Sequence, residues 1–249
     1  MPLPLLFLLA LFTLWLLWAA IAHLLIRNPM GFISGGIGFA VNTLYTSLWH
    51  RLRVEGREHI PGPRQRSPEG LPLGSHPPLI VVANHTSGLD PLLIQRACPF
   101  YIRWLMAGEM RLPAFNWLWV WLEIIFVGAD GQRSGASELA SLKETFRTVR
   151  AGGVIGIFPE GRLERPRGVL HPFQPGVGVI IARSGAKVLP AVITGTPYSD
   201  SAWGSFWPMS RSRVRFMPLI DFTGRKPEEI VADLEDRYRE WTGWPVVQP

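Results

Sequence analysis

The chain has 249 residues, one cysteine, 11 tryptophans and a net charge of +6 carried almost wholly by arginine. That length admits one sizeable α/β domain plus an anchor and little more, and the lone Cys98 excludes an internal disulfide. A basic surface suits nucleic acid or an anionic membrane; the tryptophans and the apolar N-terminus favour the membrane, because indole rings collect at its interface. The arginines are dispersed with no nucleic-acid recognition motif beside them, so no nucleic-acid partner is expected.

Leu3 to Ile26 is apolar throughout except for Thr13 and His23, long enough to cross a hydrocarbon core of about 30 Å as a helix. A cleaved signal peptide fits poorly. No basic segment precedes the apolar run, and no A-x-A-like site with a polar start follows it. Arg27, Arg51, Arg53 and Arg57 come next, so the positive-inside rule puts the C-terminal side of the anchor in the cytoplasm, at the cell inner membrane. From Met30 to Trp49 an apolar stripe of Ile33, Ile37, Val41, Leu44 and Leu48 recurs at helical spacing, diluted by Gly35, Gly36, Asn42, Thr43 and Ser47. It reads as an amphipathic helix in the interface or a leg that re-enters the bilayer, with a second span as the alternative. Residues 1–52 are thus the expected membrane anchor and 53–249 the folded domain.

Residues 61–77 are rich in Pro, Gly and charge and read as an exposed loop. Beyond them, short apolar runs at 79–83, 123–127, 154–158, 188–193 and 214–217 read as strands. Helical patterns separate them. One covers 136–151, with Leu139, Leu142, Phe146 and Val149 on one stripe and Gly152-Gly153 at its end. Another covers 173–185. The last opens at Pro227-Glu228-Glu229, acids at its positive end, and carries Ile230, Leu234, Tyr238 and Trp241 on one face. This alternation predicts an α/β fold, a mostly parallel sheet flanked by helices. Tyr101 to Trp121, with Trp104, Phe115, Trp117, Trp119 and Trp121, reads as a helix: in the core with an aromatic face, against the bilayer, or lining a slot for an acyl chain.

The strand at 79–83 runs into Asn84-His85-Thr86-Ser87-Gly88-Leu89-Asp90. A neutral imidazole at a strand end removes a proton from a hydroxyl, and a carboxylate on its other nitrogen fixes the tautomer and balances the charge gained. Residues five apart diverge on a helix, so His85 is expected in the loop, with Gly88 turning the chain and Asp90 on the first helical turn. The alternative is a buried His85 satisfied by a carbonyl, with Asp90 capping the helix. No second His or Cys stands at metal-ligand spacing, no Ser or Cys sits in a nucleophile motif, Ser87 reads as a turn residue and Cys98 as core. A second run ends in Phe158-Pro159-Glu160-Gly161-Arg162.

Asn84-His85…Asp90-Pro91 followed by Phe158-Pro159-Glu160-Gly161 resembles the glycerolipid acyltransferases typified by 1-acyl-glycerol-3-phosphate (lysophosphatidate) acyltransferase. The similarity runs from about Arg53 to about Thr196 and includes Val54-Glu55-Gly56-Arg57-Glu58-His59-Ile60-Pro61 and Val188-Leu189-Pro190-Ala191-Val192. The resemblance implies that His85 is the general base, that Asp90 orients it, and that Phe158, Pro159, Glu160 and Gly161 help bind the acceptor. It implies no metal and no bound cofactor. The co-substrate would be acyl-CoA or acyl-carrier protein, the acceptor a lysophospholipid, and the setting membrane lipid. Three positions depart from the family pattern. Arg162 stands one place early for the E-G-T-R-S arginine, with Arg165 and Arg167 as further candidates. Arg133 is displaced from the family's phosphate-binding arginine, with Asp130 intervening, and Gln174 stands where a lysine is common. Acylation of another lyso-lipid, such as a lyso-ornithine lipid, or a silent lipid-binding role are the alternatives.

Overall fold

The computed structural model describes residues 3–64, 76–128 and 135–247. Two helices lead the chain, α1 (Leu3–Ile26) and α2 (Ile33–Leu44), the latter extended by a π-helical turn at Tyr45–Trp49. α1 is long and apolar enough to cross a membrane, and no residue of that stretch is buried by the rest of the protein. The turn between them is tied by Asn28, whose amide donates to the carbonyls of Leu25 (2.7 Å) and Phe32 (2.8 Å) while its oxygen accepts the Met30 N–H. Gly35 and Gly36 only dilute the apolar pattern in the sequence, yet Gly36 is the contact with α1 itself and Gly35 packs on Asn28 and Met30 of the turn. A side chain on Gly36 would overlap the Leu25 carbonyl of α1. The stripe of Ile37, Val41, Leu44 and Leu48 is left outward and exposed.

The domain that follows is a seven-stranded sheet in the order β1-β7-β6-β2-β5-β3-β4. Its strands are β1 (Arg53–Glu55), β2 (Leu79–Ala83), β3 (Ile102–Ala107), β4 (Ile125–Val127), β5 (Val154–Ile157), β6 (Lys187–Thr194) and β7 (Arg213–Phe216). All neighbours are parallel except β6 and β7. β2 is buried at every position, which is why it reads as an unbroken apolar run and not an alternating one. Ile80 and Val82 face a core shared with α5 (Gly135–Arg150), α6 (Pro175–Ser184) and α7 (Pro227–Thr242). Leu79, Val81 and Ala83 face the opposite side, against α3 (Asp90–Ala97), Phe100 and Phe216. Each fully buried Leu or Ile on these faces contributes roughly 1.5–3 kcal/mol.

One element overturns the sequence reading. Tyr101–Trp121 is not a helix: it is β3, two 3₁₀ turns and a six-residue α4 (Asn116–Trp121). Trp104 sits on β3, buried, and pairs with Gly156 of β5; a Cβ on Gly156 would overlap its ring. The aromatic spacing that suggested one helical face is divided between a strand and a short helix. β1 also went unread, because a three-residue edge strand carries too little pattern.

Candidate active site

The central trio β6-β2-β5 sets the geometry. Val82 is level with Ile157, and Ala83 with Ala191, so the residues leaving β2 emerge between those leaving β5 and β6. Asn84, fully buried, continues the ladder with its side chain: its amide donates to the Ile193 carbonyl at 3.0 Å and its oxygen accepts the Ile193 N–H at 2.7 Å. The loop is thereby pinned to β6, and His85 follows at the sheet's end. Behind it Tyr238 of α7 is inserted between strands, accepting the Ala191 N–H at 3.2 Å and donating to the Val82 carbonyl at 2.7 Å.

His85 and Asp90 are brought together. The Nδ1 of His85 lies 3.0 Å from Asp90 Oδ2, and that oxygen also accepts the N–H groups of Thr86 (2.7 Å) and Ser87 (2.8 Å). The Thr86 hydroxyl donates to Oδ1 at 3.1 Å and accepts from the Thr196 hydroxyl at 2.8 Å. A carboxylate on Nδ1 assigns that nitrogen the proton and leaves Nε2 with its lone pair free. The His85 side chain keeps 19% of its surface open, Asp90 none, and no described residue bonds Nε2. Asp90 opens α3 without capping it: its acceptors serve the loop that precedes the helix. Gly88 serves differently from the expected turn. It sits where the Ala202 carbonyl passes so close that any side chain would overlap it.

The second motif comes in from β5. The Phe158 ring stacks on His85 with centroids 4.0 Å apart and planes at 15°, and Trp104 stacks on Phe158 at 4.8 Å and 13°. Two planar rings stacked in series thus back one face of the His85 imidazole. Trp104 was missed as a site residue; the signal present in the sequence was Gly156, the one residue in the Val154–Ile157 strand without a side chain to fill the space.

Glu160 requires a correction. It is 1% exposed, and its carboxylate is turned inward, accepting the His85 N–H at 2.9 Å and the His171 N–H at 2.8 Å. Each of its oxygens is engaged inside the protein, and the residue joins the two motifs across 75 residues of chain. Burial pushes its carboxyl up to about 7 against the pull of those two N–H groups, with Glu164 and Asp90 adding to the rise. Pro159 is buried, its carbonyl accepting the N–H of the exposed Gln174 at 2.8 Å. Gly161 takes φ +67°, a left-handed turn that favours glycine.

Glu164 donates its N–H to the His85 carbonyl at 2.7 Å, and its own buried carboxylate accepts the Gly168 N–H; burial pushes it, too, up to about 7. Arg165 and Arg167 are occupied. Arg165 donates to the Glu164 and Ser199 carbonyls, Arg167 to that of Thr196, and both lie over the Tyr198 ring. Arg162 is exposed and forms no ion pair or hydrogen bond with a described residue. Together with burial, it holds His171 below the usual imidazole range. Arg133 and Asp130 lie outside the described residues. Cys98 is buried, and burial pushes its thiol well up, which suits a core residue and not a nucleophile.

A family model described as Acyltransferase matches residues 51–194. A 1-acyl-sn-glycerol-3-phosphate acyltransferase of Borreliella burgdorferi is 32% identical over 130 residues, covering 51% of this chain and 49% of that protein. The 1-acyl-sn-glycerol-3-phosphate acyltransferase alpha of Ovis aries is 27% identical over 191 residues, covering 76% of this chain and 60% of its own. The chain thus spans about half the length of the first relative and 60% of the second. Among solved structures, the 1-acyl-sn-glycerophosphate acyltransferase PlsC of Thermotoga maritima superposes with a TM-score of 0.62 at 23% identity, covering 82% of this chain and 78% of that one. At that identity the likeness establishes the fold.

Proposed function

The chain belongs to the acyltransferase family, whose model covers more than half of it, and on that premise we propose that it is an O-acyltransferase acting on lipid at a membrane. It moves a fatty acyl group from acyl-CoA or acyl-carrier protein to the free hydroxyl of a lysophospholipid, 1-acyl-glycerol-3-phosphate in the first instance, giving phosphatidate. The observation that carries this reading is the base: Nε2 of His85 is open while Nδ1 is held 3.0 Å from a fully buried Asp90 carboxylate. The names of the relatives support the acceptor.

His85 Nε2 takes the proton of the acceptor hydroxyl as its oxygen attacks the thioester carbonyl. The C–O bond forms, and the tetrahedral intermediate collapses with cleavage of the C–S bond. The thiolate leaves with the proton from the imidazolium, so base and acid are the same residue. Asp90 stabilises the imidazolium between those two steps. Phe158 and Trp104 hold the ring's plane. Residues 1–52 anchor the domain in the cell inner membrane with the catalytic face toward the cytoplasm, supported by α1 and by the arginines that follow it. A second acceptor class, a lyso-lipid with another head group, is favoured by the engagement of Arg165 and Arg167 within the protein, which leaves Arg162 as the free cation of that turn among the described residues.

The test is an acyl-transfer assay on detergent-purified protein with labelled acyl-CoA or acyl-carrier protein. Lysophosphatidate, neutral lysophospholipids and a lyso-amino-lipid are offered in parallel, beside His85→Ala. His85-dependent transfer to lysophosphatidate is the expected result. Transfer only to another acceptor moves the substrate, and wild-type turnover in His85→Ala refutes the base.

A further inference from the structure

β1 and β7 run opposite to the other five strands. Their N-terminal ends therefore lie beside the C-terminal ends of β2, β5 and β6, where His85, Phe158 and Thr196 leave the sheet. The chain enters β1 from the π-helical turn at Tyr45–Trp49, and enters β7 from a long connection out of β6. Both approaches thus lie at the catalytic end. They are stitched to each other: Trp49 Nε1–H donates to the Trp207 carbonyl at 2.8 Å, the Tyr45 hydroxyl to that of Phe206 at 2.5 Å, and the Ser212 N–H to that of His50 at 2.9 Å.

This end is apolar and unpartnered where a soluble surface would be polar. Trp207 is 79% exposed, Met209 56% and Trp49 43%. The exposed stripe of α2 runs directly into them through Leu48. On the other flank Trp121 of α4 packs on α2, donating to Ser34 at 3.1 Å, and leaves Trp117 68% exposed. Large aromatics are ordinarily among the better-buried residues, and several exposed together mark an interaction surface. Exposed arginines sit beside the patch: Arg51 and Arg53 after Trp49, and Arg211 and Arg213 after Met209. Among the described residues the exposed acids at this end are Glu109, Asp200 and Glu55, the last paired with Arg213 at 3.2 Å. Indole and thioether side chains next to guanidinium groups fit a bilayer carrying anionic head groups, with the rings at the acyl boundary and the cations in the head-group layer.

We propose that the catalytic end of the domain is itself a docking surface for an anionic lipid bilayer, with Trp207 and Met209 immersed and Arg53 and Arg211 against the head groups. It rests on the reading that the acceptor is a membrane lipid. It goes further in placing the mouth of the His85 site on the bilayer through the domain's own surface, in addition to the leading helices. The gap between Gly88 and Ala202 is closed by direct backbone contact, so the connection that carries Trp207 begins against the catalytic loop.

The full chain is reconstituted into phosphatidylcholine–phosphatidylglycerol vesicles with brominated acyl chains, carrying a fluorophore on Trp207→Cys. The Trp49 bond to residue 207 uses the backbone and survives that change. A second protein carries the label on Arg183→Cys, exposed near the C-terminal end of α6. Quenching at 207 and not at 183 is expected. A label at 207 that stays unquenched in vesicle-bound protein, or equal quenching at both sites, overturns the proposal. Separately, Arg53→Gln with Arg211→Gln should raise the apparent KM for acceptor in anionic vesicles by about 30-fold, at about one factor of five per arginine, and leave turnover on acceptor in neutral detergent micelles unchanged. Equal effects in both assays overturn it. If the wild type transfers no acyl group to any acceptor, the functional reading fails, while the quenching still decides the docking.

Discussion

Two substitutions at Asp90 separate its chemical role from its structural one. Asparagine keeps the shape: its oxygen still accepts the Thr86 and Ser87 N–H groups, and its amide donates to the Thr86 hydroxyl oxygen, which already accepts from Thr196. What it removes is the charge 3.0 Å from the His85 ring. At that separation and an effective dielectric constant of about 20, an ion pair is worth roughly 5 kcal/mol, and the partly open imidazole reduces this to about 4. Asp90→Asn should therefore lower kcat by about a thousandfold while shifting the melting temperature little. Alanine also strips two buried N–H groups of their acceptor, at about 1–3 kcal/mol each, so Asp90→Ala should lose activity and also melt roughly 5–20 °C lower. Free thiol released from acyl-CoA gives the rates, and thermal unfolding in one detergent gives the stabilities. An Asp90→Asn enzyme within threefold of wild type (about 0.7 kcal/mol) would refute the charge argument. An Asp90→Ala protein as stable as Asp90→Asn would refute the loop-satisfaction argument.

Gly156→Ala drives a methyl group into the Trp104 ring and should cost about 1–3 kcal/mol of stability through overpacking, with a fall in kcat as the Phe158–His85 stack tilts; unchanged melting would show that the ring moves freely. Tyr238→Phe leaves the Ala191 N–H and the Val82 carbonyl without their shared partner and should destabilise by about 1–3 kcal/mol, read by denaturant unfolding with the wild-type slope. Glu160 has a pH signature. Its carboxyl stands at about 7 in the fold against an ordinary 4.5, so its contribution to stability is fully present below the unfolded value and is lost as pH rises through 7, roughly 3 kcal/mol in all. Glu160→Gln removes that slope, and the variant should gain on the wild type by about that amount between acid and mildly alkaline pH; parallel stability curves would refute it.

The central strands, the three long helices of the domain and the His85–Asp90 pair were legible because each is written locally. Val154–Ile157 and Leu79–Ala83 are short apolar runs, α7 has a clean 3.6-residue stripe, and a His and an Asp five apart share one loop. What was not legible depends on neighbours. The Trp104 region looks helical by spacing, and only its pairing with Gly156 makes it a strand. Glu160 reads as a ligand for substrate because the family resemblance implies it; its inward pose follows from the adjacency of β2 and β5, which no one-dimensional pattern carries. The inverse holds at Gly36, whose lack of side chain weakens an amphipathic pattern yet lets α2 lie against α1.

The two motifs are one device. A carboxylate on a histidine's ring fixes its tautomer, yet the ring's position is fixed by its backbone, and here the backbone of His85 is held at both ends by the second motif. Its N–H is given to Glu160 and its carbonyl receives the N–H of Glu164. Asp90 and Glu160 thus divide the work on one residue, the first through the side chain and the second through the main chain. Glu164 makes a third carboxylate in the same buried region, and both glutamates are pushed toward neutrality. Glutamates that titrate near 7 are about half ionised at that pH, so this buried region carries less negative charge than three full carboxylates would, and the carboxylate that touches the His85 ring is Asp90's.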